Sequence, residues 1–546
     1  MGEGQSVQNT ESGAGHAHHS KSVIFRRRVA ASCVEALVPV LLLAATVLLV
    51  RYEPRSGWGN EDTVIYAIAA TMWSNGAVPY RDIIDHKPPG IYAFYRVCFF
   101  FGGRTPRALW QGFAWATGIA AVVVYWGFRV NSRVAAGTAM ALAFLALQRA
   151  DLLGLGMANQ NDTESLAVAW GVTAFGLVLA YQRFHKVWWA ILAGGAFAGA
   201  VLSKQPAACW LLPLAAHVVA THYHSPRAAA VRASIIGLLG LALGAALVLG
   251  VCLAYFALRH ALADFYDWVY LRNLNYAAIS QGGVPIHVAL LRQSVGALTA
   301  RLLRPDALPI AAGVLLLPIG LIWRRSWLEV TAVLWCIASL AAVSLAPGLT
   351  DHYLIFMYVA FALAFGSAFD WLYGAGAPSR SRVATTLSAF VLCLLVFSHQ
   401  LGSVYAALAW DPAAPERALQ SSPLYRMGQK VREYAQPGDR LLPFGVPLDV
   451  FFYADMMPPG RYIYWPTDSL RPDAEEFMRD VRDGKPAFIY IGGSTRGPFR
   501  AEQPPPNGPL KQYVDDQYEL WLEEGFGRVY RRLDRQWPSE MQGATH

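Results

Sequence analysis

Apolar runs long enough to cross a hydrocarbon layer of about 30 Å recur along the chain from residue 30 to residue 403 and then stop. Inside a bilayer the backbone must satisfy its own hydrogen bonds, and runs of this length do so as helices. The chain has 546 residues, 55% hydrophobic and 15% charged, which is more apolar content than one water-soluble core can bury. A polytopic α-helical membrane protein is expected, followed by a water-soluble tail.

Residues 1–28 are rich in Gly, Ser and His and end in Arg26-Arg27-Arg28, the composition of a disordered cytoplasmic tail. The first apolar run carries no A-x-A cleavage site and reads as a retained anchor. With Arg26 to Arg28 inside, the pattern predicts spans near residues 30–50, 108–128, 134–149, 164–182, 187–203, 206–221, 233–257, 307–323, 328–346, 353–373 and 383–403, about eleven in all. That count places the short basic loops, such as Asn131-Ser132-Arg133 and Gln182 to Lys186, on the cytoplasmic side. It places the first loop, residues 51–90, and the tail, residues 404–546, outside the cell membrane. The membrane domain is then residues 29–403. In the tail, short apolar strands at Arg440 to Phe444, Tyr462 to Trp465 and Ala487 to Ile491, a helix over Ala474 to Arg482 and a hairpin over Tyr518 to Arg532 predict an extracytoplasmic α/β domain.

The net charge of +8 is spread over loops between apolar spans and does not gather on one soluble face, so nucleic acid is not expected as a partner and membrane lipids are. The six cysteines, in or beside apolar segments, show neither CxxC nor zinc spacing. No metal site is assigned, no cofactor is required by the pattern, and use of a divalent cation stays open.

The first outer loop concentrates the chemistry-bearing residues. Glu61-Asp62 opens a segment running to Met72 that reads as an amphipathic helix along the membrane surface. A turn at Asn75-Gly76, then Pro79-Tyr80-Arg81-Asp82, and then Asp85-His86-Lys87-Pro88-Pro89-Gly90 lead into another apolar helix. In order and spacing, Asp62, Tyr66, Ala67, Met72, Gly76, Pro79-Tyr80 and Lys87-Pro88-Pro89 resemble the first outer loop of GT-C class membrane glycosyltransferases. The similar group is that of the protein mannosyltransferases and aminoarabinose transferases. Asn159 to Glu164, Lys204-Gln205 and Asp351-His352-Tyr353 continue the likeness over the membrane part. Two positions depart from it: Thr63 stands where relatives often carry Glu, and His86 stands where an acid often precedes the Lys-Pro motif.

The resemblance implies a GT-C-like fold and an inverting transfer of a sugar from a polyprenyl-phosphate carrier to a lipid, glycan or protein acceptor. Asp62 would be the catalytic base. Lys87, His86, Tyr66, Arg81, Glu164, Lys204, His352 and Tyr353 would hold the donor phosphate and substrate. Chemistry asks for the same residue types: the acceptor must lose a proton, which a carboxylate can take, and a phosphate must leave, which cations stabilise. Each residue also has a plainer reading. Lys87 and Lys204 suit lysines snorkelling to headgroups, His352-Tyr353 suits an interfacial belt, Glu164 suits a helix cap, and Glu61 reads as a surface acid. A transporter or flippase of lipid-linked saccharides and a non-catalytic assembly protein are the alternative functions. No internal repeat of the transporter kind is visible.

Overall fold

The computed structural model describes residues 37–46, 61–149, 162–222, 226–277, 295–304, 307–323, 326–345, 351–374, 414–445, 447–463, 474–492, 509–524 and 527–542. Its membrane part runs through α1 (Leu37–Thr46), α2 (Glu61–Ser74), α3 (Gly90–Gly102), α4 (Pro106–Val130), α5 (Val134–Arg149), α6 (Thr163–Phe184) and α7 (Val187–Ser203). A 3-10 turn and α8 (Leu211–Ala220), α9 (Arg227–Leu258), α10 (Leu262–Tyr266), α11 (Arg272–Ala277), α12 (Leu308–Trp323), α13 (Trp327–Ser344) and α14 (Met357–Gly374) follow. Among the described residues, five helical stretches are long and apolar enough to cross a membrane: α4, α6, α9, α13 and residues 352–371. Shorter apolar helices stand at other expected positions. The predicted eleventh span, residues 383–403, lies outside the described residues.

Local sequence sets the helix ends. Thr105 caps α4 by accepting from the Ala108 amide at 3.2 Å, with Pro106 at the first helical position. Asp162 caps α6 by accepting from the Ser165 amide at 2.9 Å. Small residues then let helices approach closely. A Cβ at Gly244 of α9 would fall 1.8 Å from the Ile191 carbonyl of α7, so only glycine permits that crossing. The window of α9 is 22% buried and faces lipid, whereas the 352–371 stretch is 89% buried and forms the centre of the bundle.

The basic turns gather at one end of the bundle. Asn131, after α4, donates to the Leu179 carbonyl at 2.8 Å; Arg133 meets Asp370 of α14 at 2.9 Å; His222 and Tyr181 approach to 3.1 Å. The start of α6 and the end of α7 therefore lie at the opposite end, with the first loop. One expectation is corrected there. Residues Thr63 to Met72 of α2 are buried all round, so the helix is wedged into protein and is not amphipathic along the membrane surface.

α2 is buried between α3 and the C-terminal unit, a four-stranded sheet of order β1-β2-β4-β3, with strands β1 (Leu441–Phe444), β2 (Phe488–Gly492), β3 (Tyr518–Glu524) and β4 (Gly527–Arg532). β1 and β2 are parallel, and the other pairings are antiparallel. Helices α15 (Ala414–Ser421), α16 (Pro423–Tyr434), α17 (Asp449–Ala454), α18 (Ala474–Gly484), α19 (Pro509–Gln517) and α20 (Ser539–Gln542) surround it. Tyr462 and Ile463 are not in a strand, and residues 464 and 465 of that predicted strand lie outside the described residues. The core of this unit, with Leu441, Phe488, Ile489 and Val529, is continuous with Val64, Tyr66 and Tyr92 of the first loop. Phe452 of α17 meets Phe99 of α3 with ring centroids 6.4 Å apart, and Arg104 holds Asp455 at 2.7 Å.

Candidate active site

Five stretches of chain converge at the end of the bundle covered by the C-terminal unit: the first turn of α2, the loop before α3, the first turn of α6, the end of α7 and the turn before α14. Asp62 Oδ2 lies 3.9 Å from Lys87 Nζ and accepts the Tyr66 hydroxyl at 3.1 Å. Lys204 Nζ lies 2.6 Å from Glu164 Oε1, and His352 Nε2 approaches the same oxygen at 3.9 Å. Lys204 also sits over the Tyr353 ring, 4.8 Å from its centroid. Residues separated by up to 291 positions thus form one polar cluster, in which the Asp62 side chain is 43% exposed and that of Glu164 2% exposed.

The two lysines are brought side by side by a glycine. A Cβ at Gly90, the last residue of the Lys-Pro-Pro-Gly run, would lie 2.5 Å from the Leu202 carbonyl, so the start of α3 presses directly on the end of α7. The loop that carries Lys87 is pinned on several sides. Tyr80 and Tyr92 approach the Lys87 carbonyl at 2.7 Å and 3.4 Å, and Tyr92 also donates to Asp85 at 2.5 Å. Asp85 accepts from the His86 amide at 2.6 Å, Asn273 of α11 donates to the His86 carbonyl at 2.7 Å, and the Ile84 amide donates to the Arg461 carbonyl of the C-terminal unit at 2.9 Å. Tyr80 itself adopts φ 71°, a left-handed conformation that costs a non-glycine residue about 1–3 kcal/mol. Its fully buried ring, packed on Phe256 and Phe265, holds it there.

Charge follows this geometry. Burial pulls the Lys87 ammonium down, but Asp62, Tyr353 and Glu164 outweigh it and hold the group above its usual value, so it stays charged. Burial together with the neighbouring Lys87 charge lowers His86, which is neutral at pH 7. Asp85, although buried, is held low by the His86 contact. The Tyr66 phenol is raised by burial and by Asp62, and remains a donor. At 3.9 Å the Asp62 carboxylate is beyond hydrogen-bond distance of Lys87, whose N–H donors can therefore turn to an incoming anion. The arrangement can bind an anion between Lys87, Lys204 and His352 while an accessible carboxylate stands beside it.

Asp62, Lys87, Tyr66, Glu164, Lys204, His352 and Tyr353 are thus brought together, with His86 at the edge. Arg81 is not: its guanidinium donates to Asp82 at 2.8 Å and to the Arg259 carbonyl at 2.8 Å, away from the cluster. Sequence reasoning missed Tyr92, Asn273 and Arg461, which shape the loop through contacts between distant segments that no local pattern announces. Thr63, at the departure from the family pattern, is fully buried and pairs with Tyr95. Among the described residues no group of three or more His, Cys, Asp or Glu side chains could hold a metal ion. A separate apolar cavity of about 490 Å³ lies between α3, α4 and α6, walled by Phe94, Val97, Trp115, Ile119, Leu166 and Trp170. It has no charged lining and is not the place where the chemistry can occur.

No protein-family model and no curated protein sequence matches the chain. Among solved structures, ArnT from Cupriavidus metallidurans bound to undecaprenyl phosphate superimposes with a TM-score of 0.55 at 16% identity, over 91% of this chain and 98% of that one. Its apo form gives 0.54 at 16% identity, over 90% and 97%. The oligosaccharyltransferase AglB from Archaeoglobus fulgidus gives 0.44 at 14% identity, over 84% and 69%, too loose a superposition to bear on the site. The chain is a membrane protein with the fold of ArnT.

Proposed function

We propose that the chain is an inverting glycosyltransferase that moves a sugar from a polyprenyl-phosphate carrier to an acceptor at the outer face of the cell membrane. The observation that carries this reading is the meeting of one accessible carboxylate, Asp62, with Lys87, Lys204 and His352 at one end of a membrane bundle. A lipid-linked donor reaches such a site from the bilayer, and the bound undecaprenyl phosphate of the structurally similar ArnT fits the same chemistry.

In this reading the donor phosphate sits against Lys87, Lys204 and His352, and the acceptor approaches from the Asp62 side. Asp62 takes the proton of the acceptor hydroxyl or amine as that atom bonds to the anomeric carbon. The bond from the anomeric carbon to the phosphate oxygen breaks at the same time. The phosphate leaves with the electron pair, and the cations stabilise its growing charge. Displacement in one step from the opposite face inverts the anomeric configuration and needs no carboxylate nucleophile. Tyr66 orients Asp62, and Glu164 orients Lys204. Because the basic turns lie at the other end of the bundle, the positive-inside rule puts this end outside the cytoplasm.

The test is to reconstitute the purified chain in vesicles and follow consumption of polyprenyl-phosphate sugars against free polyprenyl phosphate released. Donor consumption accompanied by a new glycosylated product supports the proposal. Binding or movement of the lipid across the bilayer without bond breakage contradicts it.

A further inference from the structure

The carboxyl end of β1, in the parallel pair of the C-terminal sheet, leads into α17, which packs on α2, and the reaction described so far makes no use of that edge. In open α/β sheets ligands bind outside the carboxyl ends of parallel strands. Here β1 ends at Phe444 and the chain passes into α17 at Asp449, while β2 ends at Gly492, paired with Gly527 at the start of β4. α17 packs on α2. Phe452 on Phe99 and Asp455 on Arg104, which also holds Asn75 just past the end of α2 at 3.0 Å, fix α17 along α2, and Asp449 at the start of α17 acts electrostatically on Glu61.

Tyr490 points into the same edge. From the middle of β2 its ring runs over Gly527: a Cβ there would lie 2.8 Å from Tyr490 Cε2 and 3.2 Å from its hydroxyl oxygen. The side chain thus extends along β2 toward its carboxyl end, which only a glycine at position 527 allows. It is 0% exposed, and its hydroxyl has no hydrogen-bond partner among the described residues. A buried hydroxyl in that state costs about 1–3 kcal/mol, a deficit that a ligand can relieve. Asp449 is half-buried and acts electrostatically on both Tyr490 and Glu61, so the three groups share one neighbourhood. Burial, then Asp62 and Asp449, raise Glu61, so the acids crowd one another.

We propose that Glu61, Asp449 and Tyr490 form the acceptor subsite and that the acceptor is a saccharide, whose ring hydroxyls donate to the two carboxylates and exchange a hydrogen bond with Tyr490. This rests on the glycosyl-transfer reading. Paired carboxylates match adjacent hydroxyls on one sugar ring, whereas a peptide acceptor offers a single side-chain hydroxyl. Glu61 immediately precedes Asp62 in the first turn of α2, which brings a saccharide held there near the base.

The experiment uses the full-length chain in vesicles with a polyprenyl-phosphate sugar, offering methyl glycosides of neutral and amino sugars or a Ser/Thr peptide as soluble acceptors. Undecaprenyl phosphate binding is measured alongside. For Asp449→Asn and Tyr490→Phe, the acceptor KM should rise about tenfold, the loss of roughly one hydrogen bond, while donor KM and undecaprenyl phosphate binding stay put and thermal stability does not fall. Tyr490→Phe keeps the ring, so a purely structural role would leave acceptor KM unchanged. Unchanged acceptor KM in both variants, equal effects on donor KM, or transfer to the peptide alone would overturn the subsite. No transfer to any glycoside with undecaprenyl phosphate still bound would overturn it too, leaving the donor reading standing. Failure of the wild-type chain to bind undecaprenyl phosphate would remove both.

Discussion

Lys204 and Glu164 are 7% and 2% exposed and 2.6 Å apart, a buried ion pair at the floor of the site. Replacing Lys204 by Met keeps the apolar stem and deletes the charge, leaving Glu164 buried without its main partner. Breaking a buried pair from one side costs about 3–5 kcal/mol, and the low end of about 3 kcal/mol applies because His352 remains 3.9 Å away. Replacing both partners by neutral residues of like volume, Lys204→Met with Glu164→Gln, should restore stability to within about 1 kcal/mol of the wild type. Lost function would not return with it, because the phosphate cation is gone. The assay is thermal unfolding in detergent with and without undecaprenyl phosphate. At a lipid concentration of about a hundred times Kd, the wild type gains about 2.7 kcal/mol, and the double variant should gain far less. Two results would refute the reasoning: a Lys204→Met protein as stable as the wild type, or a double variant that still gains full stabilisation from the lipid.

Lys87→Ala should raise donor KM strongly, with Lys87→Arg, which keeps charge but changes donor geometry, partly active; equal activity of Lys87→Ala and wild type would return this residue to an anchor at the membrane surface. Burial pushes the Asp449 carboxyl up to about 6, above its ordinary 3.8, so ionising it opposes folding. As pH falls through about 6, stability should therefore rise while acceptor binding weakens, and Asp449→Asn should flatten both profiles, read as melting midpoint and acceptor KM. A reporter cysteine replacing the exposed Gln512 of the C-terminal unit should react with an impermeant thiol reagent on intact cells; reaction only after permeabilisation would reverse the orientation.

The positions of the membrane helices were legible because lipid demands long apolar runs, and turn chemistry such as Thr105-Pro106 marks their ends. Asp62, Lys87, Glu164, Lys204 and His352 could be named before the structure because their order and spacing resemble those of GT-C glycosyltransferases; by position alone they read equally as helix caps, snorkelling lysines and belt residues. Their mutual approach depends on Gly90 pressing against Leu202, which spacing alone does not reveal. α2 was misread because its apolar residues match a surface helix equally well when the cover is unseen; that cover is built some 370 residues later. Arg81 was misassigned for a local reason: Asp82, its neighbour, captures the guanidinium. Asp449 and Tyr490 were illegible, since only the docking of α17 on α2 gives them a place beside the first loop.

The central claim is that Asp62 takes the acceptor proton. Asp62→Asn retains size and the contact with Tyr66 but cannot accept that proton, so the measurement is the rate of sugar transfer from polyprenyl phosphate by this variant, with donor binding recorded in parallel. The account predicts a loss of about 100-fold to 10,000-fold in transfer, equivalent to about 3–5 kcal/mol of barrier, with undecaprenyl phosphate still bound. Transfer at near the wild-type rate would contradict it and make Glu164 the next acid to test.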